Sequence, residues 1–205
     1  MNYILAFLIF SGVIATGNAL KCVTCKVIER GTTLNDCDGE LEECDENTYK
    51  CATQIEQNNV GGDVITAVKK GCFPVDYKDY CEQRFELNAG EEFDISVFSK
   101  CCDEKDGCNS CPIQMPAGNT TPNGLKCPVC FAQDTNTCIT TEQECVGDQL
   151  QCINYSGLAA RPGECAKNYI IQGCITEGAC MADFGGLPGG QVLSKNFQCT
   201  PPPSD

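Results

Sequence analysis

Leu20-Lys21-Cys22-Val23-Thr24-Cys25 returns 105 residues later as Leu125-Lys126-Cys127-Pro128-Val129-Cys130. Outward from these anchors, Cys37, Cys44 and Cys51 stand seven and seven apart, as do Cys138, Cys145 and Cys152 at an offset of 101. Cys72 then matches Cys174, Cys81 matches Cys180 and Cys101 matches Cys199, with offsets drifting from 102 to 98. Eight cysteines aligned in order over about 80 residues mark an internal duplication.

The 205 residues include 20 cysteines and no histidine or tryptophan. Without histidine there is no Ser-His or Cys-His nucleophile pair and no His-bearing metal site. Basic residues number 14 against 28 acidic, a net charge of −14, which repels nucleic acid and anionic headgroups and favours basic partners. Residues 20–111 carry 10 basic and 20 acidic groups and residues 112–205 carry 4 and 8, so the first half holds most of the field.

Residues 1–19, MNYILAFLIFSGVIATGNA, place an apolar run before Gly17 and Ala19 at the −3 and −1 positions of a cleavage site. That is the pattern of a secretory signal peptide. The mature chain then meets an oxidising compartment, where an even number of regularly spaced cysteines reads as a disulfide framework more readily than as zinc ribbons begun by the two Cys-x-x-Cys pairs. Thr200-Pro-Pro-Pro-Ser-Asp205 offers no removable apolar tail, so the expectation is a freely secreted, extracellular product without a membrane anchor.

Between the cysteines the chain reads as short strands and turns. Residues 51–57 and 64–68 flank Asn58-Asn59-Val60-Gly61-Gly62, a hairpin with a Gly-rich tip. Phe93, Ile95 and Val97 alternate with Asp94, Ser96 and Phe98 as a half-buried strand. No window sustains a helical period, and the class is all-β. Residues 112–124, PIQMPAGNTTPNG, read as an inter-domain linker between a first domain at 20–111 and a second at 125–205.

Cys22-x-x-Cys25 at the start and Cys101-Cys102-x5-Cys108-Asn109 at the end resemble the three-finger domain of the Ly6/urokinase-receptor superfamily. The likeness covers the mature chain as two tandem copies. Within the superfamily, two copies joined through Thr120-Thr121-Pro122-Asn123-Gly124 resemble the gamma-type phospholipase A2 inhibitors. Sodefrin precursor-like factors, secreted courtship pheromones, share that plan.

The resemblance implies pairing of Cys22 with Cys51, Cys25 with Cys37, Cys44 with Cys72, Cys81 with Cys101 and Cys102 with Cys108. In the second copy it implies Cys127 with Cys152, Cys130 with Cys138, Cys145 with Cys174 and Cys180 with Cys199. It further implies no catalysis, no cofactor and function by binding, either to a secreted phospholipase A2 or, as a signal, to a cell-surface receptor. The second copy lacks the last small bridge and the closing Asn. Cys111 and Cys165 fall outside the inherited scheme. They are expected to pair and clamp the domains; pairing within a domain, or between two chains as an oligomer, are the alternatives.

Holding all strands at one disulfide knot frees the hairpin tips to bind. The densest acidic run, residues 36–46, holds seven carboxylates in eleven residues. Gly39 is not at the sixth place of a calcium loop begun at Asp36. Asp38, Glu40, Glu42, Glu43, Asp45 and Glu46 are instead candidates for a face that docks a basic partner, set against a plain solvated surface. Val60, Leu158 and Leu187 are candidate apolar contacts at finger tips. Asn119-Thr-Thr and Asn154-Tyr-Ser match the acceptor pattern for N-glycans.

Overall fold

The computed structural model describes residues 19–180 and 190–200. The leader pattern up to Asn18, and Leu187, lie outside the described residues. The first domain supplies β1 (Lys21–Arg30), β2 (Glu40–Glu43), β3 (Thr48–Val60), β4 (Asp63–Pro74), β5 (Arg84–Asn88) and β6 (Phe93–Cys102). The second supplies β7 (Pro122–Gln133), β8 (Thr141–Val146), β9 (Gln151–Ala160), β10 (Lys167–Ile175) and β11 (Gln191–Thr200). The only helical pieces among the described residues are 3-10 turns at Val75–Tyr80 and Cys108–Ser110. One sheet runs through both domains in the order β11-β9-β10-β5-β6-β3-β4-β1-β2, with β7 joining β10 to β8.

The central hairpin is longer than the sequence predicts. Gly61 and Gly62 take φ of +60° and +84°, the two left-handed positions of a two-residue turn whose twist matches the flanking strands. The ladder therefore continues to the turn, pairing Asn58 with Ile65, Asn59 with Val64 and Val60 with Asp63. Val60 is thus a strand residue, half-buried against the cluster that contains Phe93, and not an exposed tip contact.

Strand β6 differs too, because both its faces are covered. Phe93, Ile95 and Val97 pack with Ile153, Tyr155, Tyr169 and Ile171 of the second domain. Phe98, on the opposite face, joins Ile55, Val68 and Ile113. Alternation showed one apolar face; the other is closed by the segment between the domains. Ile113 of that segment is buried, its N–H donates to the Asn35 carbonyl at 3.0 Å, and the Pro116 carbonyl accepts from Arg84. Its last three residues, Pro122 to Gly124, already belong to β7.

At the base the sheet is tied by sulfur. Nine disulfides join Cys22–Cys51, Cys25–Cys37, Cys44–Cys72, Cys81–Cys101, Cys102–Cys108, Cys127–Cys152, Cys130–Cys138, Cys145–Cys174 and Cys180–Cys199. Asn109 completes the first knot. Its Oδ1 accepts the Val23 N–H at 2.9 Å, and its Nδ2 donates to the carbonyls of Val23 and Ala52 at 2.9 and 3.1 Å. One buried side chain so links β1 to β3, which are not adjacent in the sheet. Replacing Asn109 by Ala strands three backbone groups and is expected to cost about 2–3 kcal/mol. A shift in the denaturation midpoint of the oxidised protein reads this, and an unchanged midpoint contradicts it.

Contact between the domains is polar at one level and apolar at another. β10 pairs with β5 through Cys174↔Asn88 and Ile175↔Leu87. A Cβ at Gly173 would collide with the Asn88 carbonyl, so a side chain there would push the strands apart. Beside this pairing, Thr176 donates its N–H to the Glu86 carbonyl at 3.0 Å and receives the Glu86 N–H on Oγ1 at 2.9 Å. At the far end Arg161, only 8% exposed, reaches Asn58 and Asp63 of the first domain, and Arg30 of that domain reaches back to Glu164 at 2.8 Å.

The expected Cys111–Cys165 clamp is not made: both cysteines are unbonded and exposed. Cys111 follows Ser110, whose carbonyl receives Lys70 Nζ at the level where Lys70 pairs with Thr53. Cys165 follows Glu164, beside Asp63 at the other end of the same hairpin. The seven positions from Thr53 to Val60 span about 23 Å at about 3.3 Å per residue. A disulfide needs Cα atoms roughly 6 Å apart. Both thiols are expected to alkylate in native, non-reduced protein, and peptide mapping that finds either in a disulfide overturns this.

Candidate functional site

Strand β2 carries the acidic run to an edge of the sheet. It pairs only with β1, setting Lys21 opposite Glu43, Cys22 opposite Glu42, Val23 opposite Leu41 and Thr24 opposite Glu40. The Cys25–Cys37 and Cys44–Cys72 bridges pin the chain on either side of it. Asp38, Glu40, Glu42, Glu43, Asp45 and Glu46 are all exposed. Asp45 is partly engaged, its Oδ1 accepting the Asn47 N–H at 2.9 Å and the Thr48 hydroxyl at 3.2 Å.

The fold adds acidic residues that the linear run does not contain. The Gly107 N–H donates to the Lys21 carbonyl at 2.7 Å, which lays the loop at 103–107 beside β1 and β2. Asp103, Glu104 and Asp106 on that loop are exposed. Asp106 Oδ1 accepts the Lys21 N–H at 3.0 Å and Asp103 lies 3.4 Å from Lys50 Nζ. The lysines here are Lys21, Lys50 and Lys105, fewer than the carboxylates around them.

Two apolar side chains sit within this surface: Leu41, 56% exposed and lying against Gly107, and Tyr49 at the start of β3. The sequence carried a signal for Leu41, an apolar residue standing alone among four acids. It carried none for the contribution of the loop at 103–106, which depends on the Cys102–Cys108 bridge folding that loop back.

Two physical arguments meet on β2. A short, highly charged edge strand prevents edge-to-edge pairing with another sheet. The same carboxylates, outnumbering the fixed cations near them, project a field able to steer a basic partner. The side chains spread along the strand without converging on a point. Among the described residues, the three groups of ligand-type side chains close enough to share an ion are all built on disulfide-bonded cysteines.

The other candidate contacts are placed elsewhere. Leu158 is a half-buried residue inside β9, flanked by Asn168 of β10 and Ser194 of β11, and like Val60 is not an exposed tip contact. The most exposed large hydrophobe among the described residues is Ile139, 91% exposed, just before β8. Asn154 is exposed and Asn119 lies on the surface. Asn119 accepts the Thr121 N–H on its own Oδ1 at 3.0 Å, whereas Asn154 stands in the middle of β9 with a neighbouring strand on each side.

The family model of the u-PAR/Ly-6 domain matches residues 18–111 and again 123–202. A phospholipase A2 inhibitor gamma subunit of Elaphe quadrivirgata is 28% identical over 168 residues, covering 80% of this chain and 77% of that protein. Its counterpart of the same name from Laticauda semifasciata is 28% identical over 143 residues, covering 69% of this chain and 75% of its own. Protein RoBo-1 of Rattus norvegicus is 31% identical over 116 residues, 55% of this chain and 44% of that one. Among solved structures, mouse TEX101 aligns with 88% of this chain and 99% of its own at 16% identity and a TM-score of 0.43.

Proposed function

The chain belongs to the u-PAR/Ly-6 family, as two tandem copies of its domain, and on that premise we propose that it is a secreted binding protein, not an enzyme, that inhibits a secreted phospholipase A2 by masking the enzyme's surface. The observation that carries the reading is the likeness to the Elaphe quadrivirgata phospholipase A2 inhibitor over 80% of this chain and 77% of that relative. Secretion is supported by the leader pattern at residues 1–19 and by nine disulfides, which persist in oxidising compartments. No helix among the described residues is long and apolar enough to cross a membrane. Glycans on Asn119 and Asn154 fit the same compartment and the surface position of both side chains.

In this reading the β2 edge and the loop at 103–106 draw in a basic enzyme, and Leu41 and Tyr49 supply apolar contact. Steering acts on the association rate and is screened over about 8 Å at physiological salt. Purified mature protein is expected to bind basic secreted phospholipases faster than acidic ones in surface plasmon resonance. Raising salt should slow association far more than it changes dissociation. Glu42→Lys with Glu43→Lys should slow association about tenfold with no loss of folding. Binding without salt dependence would return β2 to a guarded edge and leave the inhibitor reading standing. No binding to any of a panel of secreted phospholipases at micromolar protein would overturn it in favour of a ligand for a receptor.

A further inference from the structure

The outer face of the second domain's sheet carries no ion, although the chain as a whole has a net charge of −14. Side chains alternate across a strand, and Tyr155 and Ile171 turn inward to the main cluster, with Phe131 and Phe197 packed against it. Their neighbours in sequence therefore face out. The register sets Asn154 of β9 between Gln172 of β10 and Gln198 of β11, and Ser156 between Ile170 and Asn196. The lysines of these strands, Lys167 and Lys195, stand opposite Ala159 and Gly157 at the alternate positions. A face of amides and hydroxyls without charge favours no ionic partner and offers neutral donors and acceptors.

Most of these groups are uncommitted. Asn154, Ser156, Asn196 and Gln198 make no side-chain hydrogen bond among the described residues, and Gln172 uses only its Oε1, which accepts from the Thr140 hydroxyl at 3.0 Å. Beside Asn154 the face dips into a hollow of about 310 Å³, partly open to solvent and lined by Asn154, Gln172, Gln198, Thr200 and Pro128. That is the lower end of the roughly 300–1,000 Å³ found for small-molecule sites.

Asn154 itself decides what occupies the hollow. Asn154-Tyr155-Ser156 is an N-glycan acceptor, and the Asn154 side chain is both exposed and part of the hollow's wall. A sugar joined to its Nδ2 therefore starts inside the hollow, with a glutamine on either side whose Cβ stands about 5 Å away. The first sugar of an N-glycan, N-acetylglucosamine, is neutral. Its hydroxyls and acetamide call for donors and acceptors, which Gln172 Nε2, the Gln198 amide and the Thr200 hydroxyl supply. Its ring also has an apolar face, and Pro128 is the exposed apolar side chain on the same wall.

We propose that the first N-acetylglucosamine of a glycan on Asn154 is held in this hollow, paired with Gln172, Gln198 and Thr200 and laid on Pro128, so that the sugar is a fixed part of the second domain's outer face. The proposal rests on the secretory reading of the chain and is independent of phospholipase inhibition. Glycopeptide mapping of the protein from secretory cells is expected to find Asn154 occupied. Sugar at neither acceptor would overturn the proposal together with the secretory reading, whereas sugar at Asn119 alone would overturn the proposal only. With Thr121→Ala removing the other acceptor and the glycan trimmed to its first sugar, NMR should show cross-relaxation from the acetamide methyl to Pro128 and Thr200. The sugar should relax as the sheet backbone does, and Gln198→Ala should free it. Ser156→Ala, which removes the glycan, should lower the thermal midpoint by about 2–4 °C, the size of about one net hydrogen bond in a chain of this length. Ser156→Thr keeps the acceptor and should leave the midpoint in place. If Gln198→Ala fails to fold, the two Ser156 variants and the contacts of the unaltered sugar decide. A sugar that moves freely on the folded chain without contact to Pro128 or Thr200 would overturn the proposal, as would an unchanged midpoint in Ser156→Ala.

Discussion

Reduced with a phosphine at ambient temperature, the mature protein is expected to lose its β-sheet circular dichroism altogether. A native bridge contributes about 2–4 kcal/mol, and a domain's whole stability is about 5–15 kcal/mol. Each domain here has four or more bridges across its base. Nor is there an aliphatic core at the base to take over. The buried clusters at that level are Cys22, Cys44 and Cys51 in one domain and Cys127, Cys145, Cys152 and Cys174 in the other, with only Leu20 and Leu125 as aliphatic neighbours. The larger apolar cluster combines residues of both domains, so it is complete only once both are folded. A reduced chain that still melts in one cooperative thermal transition would show that this inter-domain cluster outweighs the bridges.

The second large effect is expected at Arg161. Arg161→Met leaves the Asn58 side chain and carbonyl, the Asp63 carbonyl and part of the Asp63 and Glu164 carboxylates without their donor. Removing one member of a buried ion pair costs about 3–5 kcal/mol. Asp63 is more than a third exposed and Arg30 remains beside it, so solvent and the second guanidinium bring the expected loss down to about 2–3 kcal/mol.

The loss should fall on the contact between domains, because each domain keeps its own disulfides. Faster hydrogen exchange at the Glu86 and Thr176 amides reads it, with the base strands unchanged. Arg161→Lys should recover only part, since an ammonium cannot reproduce the five-donor fork. Exchange at those two amides that matches the unaltered protein would show that the apolar cluster alone holds the domains together.

Acid should act on the same contact. Burial raises the Glu164 pKa, but the hydrogen bond from Arg30 and the charges of Arg161, Lys167 and Arg30 outweigh it, and the net displacement is downward. A depressed carboxyl contributes stability that is complete above its unfolded value, about 4.3, and is lost as pH falls through the lower folded value. The domain contact is therefore expected to hold through neutral and mildly acidic solution. It should loosen only below the ordinary glutamate range, and in Glu164→Gln that acid limb should flatten.

The linear order of residues was enough for the duplication, the all-β class, the family and the hairpin around Gly61-Gly62. Cysteine spacing survives in the linear order because each bridge joins positions at fixed places within one copy, and a turn needing positive φ names its glycines. The acidic candidates were legible as well, since seven carboxylates in eleven residues have to be solvated. What covers each apolar face emerged only from the folded chain. Val60 and Leu158 look like tip residues in the linear order, yet one packs under the second domain and the other sits inside β9. Ile113 lies in a stretch with the composition of a linker, yet it closes the back of β3, β4 and β6. Arg161, which holds Asn58 and Asp63 across about a hundred residues of chain, has no local signal. The physical reason is common to all of them. Alternation and turn chemistry are properties of neighbouring residues, whereas contact between two copies depends on which faces meet, and no period in the chain records that.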